Sequence, residues 1–215
     1  MVIAIDGMSA TGKSTIAFMI AQELGLTYLN SGSIYRCVAL KIMNNEIDVS
    51  DEEKFIKGIE NMDIDFKIED GIQKVYLDKK EVTARIKDEE VSVFTPKYAG
   101  TKAMKTGIRK MQKAFVNAGN VVIEGRDIGT IIAPNADYKF YLYANLDIRA
   151  DRLYEGIKDK QNVTRDEVYN NLANRDKKDI EDNSFIKPIN AIEIDTSDKT
   201  IEEVFNLMLS YIKNE

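Results

Sequence analysis

Histidine is missing altogether from the 215 residues, which removes His-based zinc sites, Ser-His-Asp triads and imidazole acid–base chemistry together. Cysteine occurs once, as Cys37, so no internal disulfide is possible and a reducing compartment is expected. Positive charge is in the minority. With 30 Lys and Arg against 36 Asp and Glu, the net charge is −6, which works against a broad grip on a nucleic-acid polymer, so any anion must be held by a local basic pocket. No window approaches about 18 uninterrupted apolar residues, so no membrane span is expected. Met1 is followed at once by Val2-Ile3-Ala4-Ile5, without a basic region or cleavage pattern, and the chain reads as soluble and cytoplasmic.

The sequence does hold enough apolar material for a core: 44% of residues are hydrophobic and 31% charged. Its length fits one large domain or one with a substantial insertion. Short apolar runs suited to buried strands recur at 2–5, 26–29, 121–124, 138–143 and 191–194, separated by helical patterns. Strands alternating with helices predict an α/β, three-layer fold around a parallel sheet of about five strands. Ser50-Asp-Glu-Glu53, Thr164-Arg-Asp-Glu167 and Thr200-Ile-Glu-Glu203 each offer a hydroxyl to cap a helix, with a Glu placed to complete the box. Ile201, Val204, Phe205, Met208 and Ile212 form the core stripe of a last helix.

One segment breaks the alternation. Ile64, Phe66 and Ile68, then Val75, Leu77 and Val82, alternate with polar residues around Asp70-Gly71, the pattern of a hairpin. Flanked by helical stretches near 51–61 and 97–118, it reads as a small inserted subdomain. A second polar segment, 153–184, is thick with Lys, Asp and Asn; composition leaves open a mobile lid or a solvated helical pair.

Gly7-Met8-Ser9-Ala10-Thr11-Gly12-Lys13-Ser14 has the Walker A spacing, entered by a strand and left by a helix whose apolar face is Ile16, Ala17, Ile20, Ala21 and Leu24. Its glycines let backbone N–H groups turn inward around phosphate oxygens, and the helix N-terminus adds partial positive charge. Lys13 is placed to reach the β- and γ-phosphates, and Ser14 to hold Mg²⁺. No Asn-Lys-x-Asp base reader of the guanine switches occurs, and the length is small for a motor. A small kinase remains, and it needs an acceptor site. Asn30-Ser31-Gly32-Ser33-Ile34-Tyr35-Arg36 and Glu124-Gly125-Arg126-Asp127-Ile128-Gly129-Thr130 both follow strand ends. The ligand crevice of a parallel sheet lies there, so Ser31, Arg36, Arg126 and Asp127 are expected to converge near the phosphate loop.

Four segments in this order, Ile5-Asp-Gly-x-x-x-x-Gly-Lys-Ser14, Ser31-Gly-x-x-Tyr-Arg36, Gly125-Arg-Asp-x-Gly-Thr130 and Arg175-Asp-x-x-Asp179, resemble those of the bacterial cytidylate kinases, over nearly the whole chain. The resemblance implies a single P-loop kinase domain over 1–215, with a nucleoside-monophosphate-binding insertion at about 45–100 and a helical lid at about 153–184. It implies transfer of the γ-phosphoryl of ATP to CMP or dCMP with Mg²⁺, by a monomer that touches neither a nucleic-acid polymer nor a membrane. Gly7 to Thr15 would hold ATP, with Arg149 and Arg152 clamping it from the lid. Ser31, Arg36 and Arg126 would grip the CMP phosphate, Arg175 would approach the phosphates, Asp179 would contact the ribose and Asp127 would read the base. A carboxylate accepts the N4 amino hydrogen of cytosine, whereas uracil presents an acceptor there and is repelled. Lys13, Arg126 and Arg175 would carry the catalysis.

Several positions depart from that pattern. Lys105 stands where the resemblance calls for a base-contacting arginine, and Pro96 where a serine is expected, with Thr95 beside it. Glu124 replaces an Asp, and Asp182 or Asn183 takes the place of a phosphate-binding arginine. Each lost charge-assisted bond is worth roughly 1.5–3 kcal/mol, so two mean about a hundredfold or more in efficiency. Three readings stay open on these residues: a CMP and dCMP kinase, a P-loop kinase for UMP or a small metabolite, and a nucleotide-binding regulatory module without transfer activity.

Overall fold

The computed structural model describes residues 1–159, 161–181 and 185–213. In chain order the elements are Val2–Gly7 (β1), Lys13–Leu24 (α1), Thr27–Asn30 (β2), Ser31–Met43 (α2), Glu52–Glu60 (α3), Ile64–Glu69 (β3), Ile72–Leu77 (β4), Lys80–Glu81 (β5), Glu89–Phe94 (α4), Pro96–Ala99 (α5), Lys102–Ala118 (α6), Val121–Gly125 (β6), Tyr138–Tyr143 (β7), Leu146–Ile157 (α7), Arg165–Glu181 (α8), Ile192–Asp195 (β8) and Ile201–Lys213 (α9). The fold is α/β, with a five-stranded parallel sheet in the order β2-β6-β1-β7-β8 and a small antiparallel sheet in the order β3-β4-β5. All five strand-like runs in the sequence are strands, displaced by a residue or so at their ends. The chain divides into two compact units, Met1–Glu23 with Val122–Glu215, and Leu24–Val121.

In the first unit β1 pairs in parallel with β7, Ile3 opposite Tyr138 and Gly7 opposite Leu142, and β7 pairs in parallel with β8. Strands covered on both faces read as unbroken apolar runs. Ile3, Ile5, Ile123, Phe140 and Leu142 are accordingly buried, as are Ile16 and Ile20 of α1 and Val204 and Met208 of α9. Both threonine boxes close as predicted: Thr164 N–H donates to Glu167 and Glu167 N–H back to Thr164 Oγ1, with the same exchange between Thr200 and Glu203. Of the polar 153–184 segment, the described part is the end of α7 and all of α8. Ala150, Val168 and Leu172 are buried where these helices pack, flanked by Leu153, Tyr154, Ile157 and Tyr169. One apolar residue per turn is enough to seal a helix pair, though composition averages it away among the charges.

In the second unit β3 and β4 form the expected hairpin, with Phe66 opposite Val75 and a turn at Asp70 (φ 52°) and Gly71 (φ 70°), both left-handed as a two-residue type I′ turn requires. A second left-handed pair, Asp78 and Lys79, adds the short strand β5, which the sequence did not announce because neither residue is glycine. The stretch expected near 97–118 is interrupted: α5 stops before Gly100, and Thr101 caps α6 by accepting from Met104 N–H at 3.3 Å. The cap expected at Ser50 is corrected. Asp51 accepts from Lys54 N–H at 2.9 Å to start α3, while Ser50 donates its hydroxyl to Asp48 at 2.6 Å. A carboxylate is the stronger acceptor for a helix N-terminus, and Asp48 has already claimed the serine.

Candidate active site

The phosphate loop leaves β1 at Gly7, where a Cβ would lie 2.1 Å from the Leu142 carbonyl oxygen; any side chain there would push β7 aside. Ala10 (φ 61°) and Gly12 (φ 90°) are left-handed, so the loop curls over its own amides. Thr11 Oγ1 donates to the Met8 carbonyl at 3.0 Å, and Lys13 Nζ donates to that same oxygen at 2.5 Å. The lysine thus lies back across the loop. Burial lowers its pKa to about 8, with Arg126 and Arg175 adding to the fall and Glu124 and Asp6 opposing it. Ser14 Oγ donates to Glu124 Oε1 at 2.9 Å, and Glu124, the last-but-one residue of β6, is buried. Two hard oxygens held side by side at the mouth of a phosphate loop suit Mg²⁺, which takes few protein ligands when phosphate and water supply the rest.

Arg126 follows β6 directly. Its Nη1 lies 2.7 Å from Asp179 Oδ2 and its Nη2 donates to Ser9 Oγ at 2.9 Å. Burial, then the nearby Arg175, push its pKa down from the ordinary value, while Asp179 opposes them. Arg149 is buried: Nη2 pairs with Asp176 at 2.6 Å, Nη1 donates to the Ser9 carbonyl at 3.2 Å and Nε to the Ala144 carbonyl at 3.0 Å. Ser9 is therefore bonded by both arginines, through its side chain and its backbone. Asp176 and Asp179 lie one turn apart on α8, so one helix face supplies both carboxylates. Arg152 donates to Thr196 Oγ1 at 3.1 Å and to the Thr196 carbonyl at 2.5 Å just beyond β8. Thr196 Oγ1 in turn lies 3.2 Å from the Thr11 carbonyl.

The first unit thus brings Lys13, Ser14, Arg126, Arg149 and Asp179 around one loop, while Arg175 is an exposed residue of α8, next to Asp176. Asp127 follows Arg126, its carbonyl accepting from Ile131 N–H at 2.8 Å. Ser31, Arg36 and Lys105 belong to the second unit: Ser31 opens α2 and accepts from Gln112 Nε2 at 2.9 Å, Arg36 lies further along α2, and Lys105 is on the first turn of α6. The departure at Asp182 or Asn183 lies outside the described residues. Sequence reasoning gave no role to Asp6, Asp176 or Thr196. The signal for Asp6 was a lone carboxylate closing an apolar strand; for Asp176, its place three residues before Asp179.

A phosphate loop at the end of the first strand of a parallel sheet, with two arginines bonded to the loop itself, defines a P-loop kinase. The particular family follows from the whole chain: the family model described as cytidylate kinase matches residues 3–214, and the chain belongs to the cytidylate kinase family, whose members are nucleoside monophosphate kinases. It is 38% identical over 217 residues to the cytidylate kinase of Clostridioides difficile, covering 99% of this chain and 98% of that one. It is 35% identical to that of Pediococcus pentosaceus, covering 99% and 95%, and 38% identical to that of Fervidobacterium nodosum, covering 98% and 95%. Among solved structures, an uncharacterized protein from Eubacterium ventriosum aligns with a TM-score of 0.54 at 11% identity, covering 100% of this chain and 99% of that one. Shikimate kinase from Bacteroides thetaiotaomicron aligns at 0.50 and 14% identity, covering 99% and 98%. These two share the fold. No helix among the described residues is long and apolar enough to cross a membrane.

Proposed function

We propose that the chain transfers the γ-phosphoryl group of ATP, in line, to a phosphate oxygen of CMP or dCMP, giving CDP or dCDP. The observation that carries this reading is the bond from Arg126 Nη2 to Ser9 Oγ at 2.9 Å: a cation suited to an acceptor phosphate is fastened to the loop suited to the donor. Residues 7–15 hold the triphosphate, and Lys13 leaves the Met8 carbonyl for the β- and γ-oxygens. Ser14 and Glu124 would hold Mg²⁺, which would supply positive charge to offset that of the phosphates. Ser31, Arg36 and Arg126 grip the CMP phosphate, Arg175 adds charge at the transferring group, Asp127 accepts from the cytosine amino group, Lys105 supports the base and Asp179 contacts the ribose. Residues 45–100 act as the monophosphate-binding insertion and 153–184 as the lid, in a monomer. Arg149 and Arg152 wall the ATP side, Arg149 reaching a phosphate once Asp176 releases it.

No general base is needed. The second pKa of a phosphate monoester is near 6, so the attacking oxygen is largely deprotonated at neutral pH, in keeping with a chain that has no histidine. Catalysis consists of aligning two anions and offsetting their repulsion with fixed cations. Incubation with ATP labelled in the γ-phosphate tests this: the label is expected in the β-phosphate of CDP, and its recovery as inorganic phosphate in the presence of CMP contradicts the reading.

A further inference from the structure

Asp6 is the last residue before Gly7 and is fully buried in the strand that carries the phosphate loop. Each of its carboxylate oxygens accepts one backbone N–H from a segment more than a hundred residues away: Oδ1 from Ile128 at 2.8 Å and Oδ2 from Gly129 at 2.7 Å. Those two amides sit immediately after Arg126 and Asp127. The contact is close on both sides, since a Cβ on Gly129 would stand 3.1 Å from Asp6 Oδ2 and 2.7 Å from Pro188 Cγ. The turn beyond is closed by its own bonds, Ile131 N–H to the Asp127 carbonyl and Ala133 N–H to the Ile128 carbonyl. Between the end of β6 at Gly125 and the first anchored amide, that of Ile128, the chain has only two residues to place, Arg126 and Asp127.

We propose that Asp6 is a positioning residue for the acceptor: its carboxylate locks the Arg126–Gly129 turn to the strand bearing the phosphate loop, so that the groups gripping CMP are held in fixed register with those gripping ATP. This takes the acceptor roles of Arg126 and Asp127 from the function proposed above. The chemistry at residue 6 favours a carboxylate for this task. An amide has one acceptor oxygen, and its NH₂ would face the second backbone N–H, so asparagine can satisfy one of the two amides and not both. Burying the charge is unfavourable by itself, and burial lifts the Asp6 pKa to about 6 against the opposing pull of the two amides. A group that only filled space at the end of an apolar strand would be better served by a neutral side chain.

The test compares Asp6→Asn with the unaltered chain, with KM for CMP and for ATP measured separately and amide hydrogen exchange read at Ile128 and Gly129. Expected is a rise of at least about tenfold in KM for CMP, a change within about twofold in KM for ATP, smaller discrimination between CMP and UMP, and at least about tenfold faster exchange at the two amides. Equal rises in both KM values, or faster exchange with KM for CMP unchanged, overturn the proposal. If Asp6→Asn does not fold, Gly129→Ala, which disturbs the same contact from the other side, is held to the same criteria. If the unaltered chain phosphorylates no CMP, the functional reading fails by itself. The joint is then judged on exchange alone, and unchanged protection at Ile128 and Gly129 in the variant overturns it.

Discussion

Arg126 and Asp179 form an ion pair at 2.7 Å, although the two are assigned to different parts of the acceptor, its phosphate and its ribose. On the function proposed above, that carboxylate competes with the acceptor phosphate for the guanidinium. Asp179→Asn removes that competitor without removing volume. Weak binding of inorganic phosphate is expected to tighten a few-fold in the variant, while kcat/KM for CMP falls because the ribose loses its acceptor. Isothermal titration and steady-state kinetics read the two effects, and a parallel loss of both would show that Asp179 supports the fold alone.

Arg126→Ala is expected to reduce transfer by roughly 10²–10³, the scale of losing one charge aimed at the reacting group, with ATP affinity changed by less than about threefold. The residual effect on ATP comes from the lost bond to Ser9 Oγ. Comparable losses of ATP and CMP binding would place Arg126 on the donor. Lys13→Ala, by contrast, is expected to abolish turnover with every acceptor.

Much of this site was legible from local patterns. The phosphate loop needs only a strand, a glycine-rich turn and a helix in succession, and all of its residues lie within one stretch of the chain. The Asp70-Gly71 hairpin is equally local. What stayed hidden depends on partners distant in sequence: Asp6 meets Ile128 and Gly129, and Arg152 ends on Thr196, a destination no spacing rule supplies. The Ser50 cap went astray for a different reason, a contest between neighbouring acceptors that composition cannot rank.

In the Arg149–Asp176 pair the arginine is buried and the carboxylate half-buried, so losing one partner strands the other. Arg149→Met is expected to destabilise the chain by about 3 kcal/mol, whereas Arg149→Met combined with Asp176→Leu recovers most of that loss. Urea denaturation of the single and double variants measures the difference. A double variant no more stable than the single one would contradict a role for the stranded carboxylate.

Stability should carry a signature of Asp6. Its carboxyl titrates at about 6 in the folded chain against 3.8 ordinarily, chiefly through burial. Between about pH 4 and 6 the folded state therefore holds more protons than the unfolded state, and this group's contribution to stability falls as pH rises through that window. Asp6→Asn lacks the effect. Relative to the unaltered chain, the variant is expected to gain up to about 3 kcal/mol from pH 4 to pH 7, read from melting curves across that range; a constant difference would mean that the carboxyl is not lifted.

The central claim is a cytosine-reading acceptor site facing a phosphate loop, and ADP release measured against CMP, dCMP, UMP, AMP, GMP and no acceptor tests it most directly. The expected result is release driven by CMP and dCMP, exceeding that with UMP by at least about tenfold, as one misplaced acceptor opposite the Asp127 carboxylate would cause. Equal rates with CMP and UMP, or release that no acceptor stimulates, would contradict it.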